Sequence, residues 1–383
     1  MSKVVVNERV LRWALTRSGV NSEDLQDRFP RIRQWAAGQV QPTLRQLESL
    51  AKFTLTPLGF FFLEEPPTEA LPIPHFRTVG NGTSRAPSAA LLETIYTMQR
   101  RQAWMRDLLV EQGKEPLLFV KSAQLHEPPT LLAERIHATL GLNQTWARDC
   151  RTWTDALRLL HRTMDRKGVL VVVNGILGNN THRKLDPAEF RGFVLSDEYA
   201  PLVFVNGADA KAAQMFTLAH ELAHLFFGRS AAFDLRQMLP ASAPIEQACN
   251  RVAAEFLVPE QELRRLWPLV RKDPEPFQCF ARTFKVSALV AARRALDVAL
   301  VSRADFLTFY RSYLSDERRK MARQPPGGDF YLSQDLRVGR RFACTLVQAL
   351  KEGKLLYSEA YRLTGLHGGT FERYAASVGL GGP

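Results

Sequence analysis

The chain has 383 residues, 45% hydrophobic and 23% charged, with a formal net charge of +12. At about 150 residues per domain this implies two to three globular domains and excludes a low-complexity or wholly disordered chain. No stretch approaches the ~18–20 consecutive apolar residues of a membrane span, the opening MSKVVVNERV holds no apolar signal core, and Cys150, Cys249, Cys279 and Cys344 form no C-x-x-C pair. A membrane protein, an exported protein, a disulfide scaffold and a thiolate zinc site are therefore not expected, and the expected location is the cytoplasm.

Residues 7–62 read as a small helical bundle. Asn7 caps a helix carrying Val10, Leu11, Trp13, Ala14 and Leu15 that ends at Gly19, and Asn21-Ser22 opens a second around Leu25 and Phe29. Ile32 to Ala37 is a short third helix closed by Gly38. Pro42-Thr43 opens a fourth, with Leu44, Leu47, Leu50 and Ala51 at helical spacing, and Pro57 starts a turn of helix through Phe62. Residues 64–88 are a Pro-rich linker, partly extended and mobile near Gly80–Ser84.

A long amphipathic helix is expected over 89–113, a short strand at Leu117–Val120, and helices over 129–140 and 152–167. Val169–Val173, Gly192–Leu195 and Leu202–Val205 read as strands of a small sheet. Helices follow over 210–227 and 245–257, the second stopped by Val258-Pro259. From Glu260 onward the pattern is helical, with a break at Pro325–Gly328. Between Arg264 and Arg341 there are 17 basic and 8 acidic side chains, against 9 and 5 over residues 1–55. That surface either attracts nucleic acid or an acidic protein, or simply keeps a helical face solvated. The expected fold is α+β and mostly helical: a front bundle (1–63), the linker (64–88), a helical connection (89–164), a core with a small sheet (165–300) and a helical C-terminal region (301–383).

The chemistry sits in His220-Glu221-Leu222-Ala223-His224. On a helix, i and i+4 differ by about 40° of azimuth and ~6 Å of rise, so the two imidazoles converge on one point. Zn²⁺ takes such nitrogens and, in a catalytic site, three protein ligands with one position left for water. Glu221 is offset by about 100° from His220. It flanks the metal, where its carboxylate can take a proton from the attacking water and pass it to a leaving amine. The surrounding Met215, Phe216, Leu218, Leu222, Leu225 and Phe226 make the helix apolar nearly all round, and unpaired polar groups in such a helix cost a few kcal/mol each. The bland alternative is two satisfied histidines beside a surface carboxylate.

The third ligand comes from the next helix. Glu246 and Glu255 lie about 180° apart on it, so only one faces the metal. Glu246 shares its stripe with Asn250, Ala253 and Leu257, and small Ala253 permits close packing, so Glu246 is taken as the ligand and Glu255 is assigned to the solvated face. Asn250 either supports a ligand from behind or is an ordinary helix-face polar residue. An extended peptide would align on an edge strand, Gly192–Leu195 or Leu202–Val205. His161, His182, Tyr199 and Arg191 are oxyanion candidates by proximity alone, and His75, His126, His137 and His367 read as surface or capping residues.

The text from Phe216 to His224, and from Glu246 through Asn250 to the closing Leu257-Val258-Pro259, resembles the ImmA/IrrE family of zinc metallopeptidases with a zincin-like core. The resemblance covers about 165–300, including Phe284–Ser287 (FKVS). It places the metal ligands on His220, His224 and Glu246 and the catalytic glutamate on Glu221; Cys249 stands where Ala is more usual. Residues 1–62 resemble the phage-repressor-type (XRE-like) helix-turn-helix domain, through Trp35, Gly38, Pro42-Thr43 and Gln46-Leu47. The segment between Leu25 and Trp35 is about three or four residues short of that domain's usual length, which truncates the helix that would enter the major groove. Arg31, Arg33 and Gln34 remain as candidates for phosphates or base edges. Leu71–Thr78 (LPIPHFRT) resembles the linker of such fusions, with His75 where Asp is commoner.

The resemblance implies regulated proteolysis: a zinc endopeptidase whose protein substrate is a transcriptional repressor. The competing readings are a DNA-binding regulator or antitoxin-like protein whose metal site is structural or vestigial, and a binding module whose helical C-terminal half clamps a partner.

Overall fold

A computed structural model describes residues 3–69, 71–73, 75–76, 87–233, 243–315 and 334–379. The fold is α+β and mostly helical, with one small mixed sheet. The chain divides into two compact units, Met1–Pro72 with Gly80–Thr97, and Ile73–Val79 with Met98–Pro383. No helix among the described residues is long and apolar enough to cross a membrane.

The first unit contains α1 (Glu8–Ser18), α2 (Ser22–Arg28), α3 (Ile32–Ala36), α4 (Leu44–Thr54) and a 3₁₀ turn at Leu58–Phe62. Its boundaries follow local chemistry. The Asn7 and Asn21 side chains accept from the Arg9 and Glu23 amides, and α1 ends where Gly19 turns left-handed at φ 60°. Thr43 and Gln46 form a reciprocal capping box on α4. Leu11, Phe29, Trp35, Leu47, Leu50 and Phe61 fill the core. The Arg17 guanidinium grips both oxygens of Glu69 and the Leu55 carbonyl at 2.9 Å, fixing the path of the chain after α4.

The second unit runs, in chain order, through β1 (His75–Phe76), the part of α5 (Ala89–Glu111) that follows Thr97, α6 (Pro129–Leu140) and α7 (Trp153–Arg166). Then come β2 (Leu170–Asn174), a hairpin of β3 (Ile176–Leu177) and β4 (Asn180–Lys184), β5 (Gly192–Leu195), β6 (Leu202–Asn206), α8 (Lys211–Phe227), β7 (Ala231–Phe233) and α9 (Pro244–Leu257). Helices α10 (Glu260–Val270), α11 (Pro276–Phe284), α12 (Ala288–Asp297) and α13 (Arg303–Ser315) follow, and Arg340–Lys351, Tyr357–Thr364 and Gly368–Gly379 close the chain.

The five-stranded sheet has the order β1-β7-β5-β6-β2. β2 and β6 are parallel, with Leu170 opposite Leu202, and β5 is antiparallel to both of its neighbours. Strands β2, β5 and β6 are buried throughout, which explains their unbroken apolar runs. Val171, Val173, Val194, Val203 and Val205 join the core that holds α8. Phe193 and Phe204 alternate onto the opposite face and stack as register partners at 4.9 Å.

Several expectations are corrected here. Leu117–Val120 is a run of turns, not a strand. The amides just after it serve α8, Lys121 donating to the Leu225 carbonyl at 3.0 Å and Ala123 to that of Phe226 at 2.9 Å. Neither Gly192–Leu195 nor Leu202–Val205 is a sheet edge, because β7 pairs on the outer side of β5. The span read as linker contributes β1. The β3–β4 hairpin was not anticipated, since its exposed Asn180–Lys184 strand has no apolar alternation. The mobility expected near Gly80–Ser84 and the break at Pro325–Gly328 fall outside the described residues.

The C-terminal helices are tied to the sheet. A π-helical turn, Asp335–Gly339, lies against β2, and a methyl group on Gly339 (φ 89°) would stand 3.3 Å from the Val171 carbonyl oxygen. Buried Arg101 of α5 donates to the carbonyls of Leu363 (2.8 Å), Arg337 (2.9 Å) and Val338 (3.3 Å). Burial lowers its pKa only to about 10, so it stays charged at neutral pH. Arg101→Leu leaves those carbonyls unsatisfied and is expected to cost about 2–4 kcal/mol in urea denaturation, with Arg101→Lys recovering only part of it.

Asp165 lies at the same seam. Burial lifts its carboxyl from 3.8 to about 7, against the Arg341 and Val171 amides and the Arg341 charge, which pull it down. Between those values the folded chain holds a proton that the unfolded chain releases, so stability falls as pH rises through that window. Asp165→Asn is expected to flatten this slope and to gain of order 1–3 kcal/mol near pH 7.5, read by denaturation across a pH series.

Candidate metal centre

Helix α8 carries three polar groups into a dry core. His220, Glu221 and His224 have no solvent exposure. The helix is placed by its ends. Gln214 donates to the Gly207 and Asp209 carbonyls at its start, and Gly228, left-handed at φ 67°, stops it. One side packs on β5 and β6, the other on α9 and α7.

Glu246 enters from the first turn of α9 and is only 3% exposed. Its Oε2 lies 3.2 Å from His220 Nε2 and its Oε1 2.9 Å from His224 Nε2, while the two Nε2 atoms are 3.1 Å apart. Donor atoms around a tetrahedral ion at 2.0–2.1 Å stand about 3.3 Å apart, so the trio already approximates one face of such a sphere. Among the described residues it is the one group of three with this capacity. Burial pushes the Glu246 carboxyl up, but the two histidines outweigh it and hold it at about 2, so the group is an anion. Burial lowers the His220 pKa, against the hydrogen bond its ring donates to Glu246 and the charge of that carboxylate, which raise it. Neutral imidazoles and an ionised carboxylate are the protonation states that ligation requires.

Glu221 differs from Glu246. Both of its oxygens are buried and neither makes a hydrogen bond. Burial first, then the charge of Glu246, raise its pKa well above the ordinary carboxylate range. Its helix packs closely on β5 because residue 192 is glycine. A methyl group there would stand 2.5 Å from Thr217 Cγ2, 2.7 Å from the Phe204 carbonyl oxygen and 3.5 Å from Glu221 Oε1. Gly192 was read only as the start of a strand; glycine inside an apolar strand signals close approach of a neighbour.

Other sequence candidates lie elsewhere. Glu255 is buried, not solvated, and pairs with Arg294 of α12, a partner from a later helix that helical geometry alone does not reveal. His137 is buried too, with its Nε2 3.1 Å from the Phe256 carbonyl oxygen. His161 lies beneath β2, 3.2 Å from the Val171 carbonyl oxygen. Arg191 pairs with Asp209 at 3.4 Å, the Tyr199 amide donates to Asp197, and His182 is exposed on β4. Arg31, Arg33 and Gln34 are exposed in the first unit, while Ile32 and Trp35 between them are buried.

A buried His-His-Glu cluster on two packed helices beside a small sheet, with a further buried glutamate next to it, is a group that could hold a metal ion through two histidines and one carboxylate. Residues 164–296 match the Peptidase M78 model, described as an IrrE N-terminal-like domain, which supports the ImmA/IrrE resemblance and points to peptidase activity. Residues 338–377 match a domain of unknown function (DUF8813). No curated protein matches the chain.

The clash expected at residue 192 gives a test. Gly192→Ala must move α8 or β5, and an expected loss of about 1–3 kcal/mol in chemical denaturation measures that overpacking.

Proposed function

We propose that the protein is a zinc-dependent endopeptidase, acting in the cytoplasm on a repressor-like regulatory protein. The observation that carries this reading is Glu221, a buried carboxylate without a partner beside the His220, His224 and Glu246 cluster. A structural zinc site is closed by four protein ligands and has no use for an extra buried acid, whereas a hydrolytic site needs a base within reach of water. Two nitrogens and a carboxylate suit zinc, which when bound supplies a Lewis acid that polarises a carbonyl and acidifies water.

The chain's own residues supply the rest. Glu221 accepts a proton from the attacking water and returns it to the departing amine. Beside a dication its carboxylate is held ionised despite burial. Gly192 lets α8, the helix that carries Glu221, pack closely on β5 through Thr217. The repressor-like substrate belongs to this reading as what the resemblance of the sequence to the ImmA/IrrE family implies.

Wild-type protein is expected to carry about one zinc per chain, measured by elemental analysis; His224→Ala should abolish it, and full occupancy in that variant would remove His224 from the ligand set. Glu221→Gln should keep the zinc and lower cleavage by roughly 10²–10⁴-fold. Cleavage at the wild-type rate would exclude Glu221 as the base.

A second reading concerns the first unit. Arg33 and Gln34 on the short α3, and Arg31 at its N-cap, are solvent-facing, as phosphate or base contacts require. If the unit binds DNA, Arg31→Ala/Arg33→Ala should weaken duplex binding and lower the salt slope by about 2. An unchanged affinity in a gel-shift titration would assign the bundle to protein contacts.

A further inference from the structure

The strand order around Glu221 shows what an incoming peptide would meet. Gly192 of β5 adjoins Glu221, and Phe233 of β7 is its register partner on the outer side. Phe233 is in turn opposite Phe76 of β1, with His75 opposite Ala232. One rung of the sheet therefore runs from Gly192 through Phe233 to Phe76. β1 is the outermost strand on this side.

β1 is parallel to β7, the weaker arrangement per residue. It is also borrowed: residues Ile73–Val79 group with the unit that holds the metal centre, while the chain on both sides of them, Met1–Pro72 and Gly80–Thr97, groups with the other unit. Pro72 and Pro74 precede it in sequence, and proline has no N–H with which to lengthen a pairing.

A sheet edge is a template for an extended chain, and strand addition is a general mode of peptide recognition. Resting on the peptidase reading above, we infer that His75–Phe76 is an intramolecular occupant of the substrate edge. An extended segment of a protein substrate takes its place beside β7 by displacing it. Because the occupant belongs to the same chain, it competes as an intramolecular partner, ahead of a free peptide that pairs no better. Weakly pairing peptides are excluded, and the site opens to segments that pair over more residues or are held there by a second contact. The local substrate is therefore an unfolded or extended stretch of polypeptide, and the linker acts as its competitor.

The test uses the full chain with zinc bound. His75→Pro/Phe76→Pro removes both backbone N–H groups of β1, and a second variant replaces residues 71–78 by a Gly-Ser stretch of equal length. The probe is fluorescein-labelled, reduced and carboxymethylated α-lactalbumin, an unfolded polypeptide. In a Glu221→Gln background, either variant is expected to bind the probe at least about tenfold more tightly than its parent by fluorescence anisotropy. With Glu221 intact, either should cleave the probe correspondingly faster at limiting concentration. Equal binding by the parent and both variants overturns the proposal. Tighter binding without hydrolysis of this probe supports edge occupancy by itself, while the peptidase reading fails separately if Glu221→Gln cleaves at the wild-type rate, so the two failures are distinguishable. Should the proline pair lower the thermal midpoint, the Gly-Ser replacement decides the comparison.

Discussion

An anion without water must be neutralised, and the second unit is organised around that requirement. Glu246 is ionised, almost wholly buried and held between the imidazoles of His220 and His224. Placing a carboxylate in so dry a setting costs several kcal/mol unless a positive charge accompanies it. Hydrogen bonds from His220 and His224 offset part of that cost. A divalent ion held by these three groups would offset the rest. Glu221 stands nearby, and burial and the charge of Glu246 disfavour its ionisation, so a cation at the site would favour its anionic form as well.

The surrounding elements serve this arrangement with few specialised residues. Helix α8 has to approach β5 closely, and Gly192 permits it. Helix α9 has to approach α8, and buried Ala253 and Cys249 present small side chains toward the core they share. Cys249 stands near both Glu246 and Glu221, and burial followed by those two charges keeps its thiol protonated. It therefore behaves there as a compact apolar group more than as a competing ligand. The far end of α9 is anchored by the Glu255–Arg294 pair, a second ion pair buried on the same helix.

Much of this site was legible in the residues, and the limits have identifiable causes. His220 and His224 converge because a four-residue helical step is a local constraint, and the opposition of Glu246 and Glu255 on one helix is local as well. The fate of Glu255 was not local: the solvated face assigned to it is covered by α12, whose Arg294 lies far along the chain. The sheet edge failed for the same kind of reason. Periodicity identifies β5 and β6 as strands, but their neighbours are fixed by β7, which follows α8, and by β1, which comes from a Pro-rich stretch that reads as linker. Leu117–Val120 has strand-like composition yet forms turns, because the amides just after it are engaged by α8. The caps of the first unit, at Asn7, Asn21 and Thr43, fell where their sequence signals put them, since capping is decided within four residues.

The amides of Lys121 and Ala123 carry one more consequence. They close the last carbonyls of the helix that presents both histidines, yet they belong to a part of the chain that precedes the matched span of 164–296 by some forty residues. Leu132 and Ile136 of α6, also outside that span, are embedded in the same core as α8 and α9. The stretch recognisable by kinship is thus smaller than the stretch able to stand alone. A fragment trimmed to the recognisable part would expose the floor of its own active helix, and evolutionary and mechanical boundaries in this protein do not coincide.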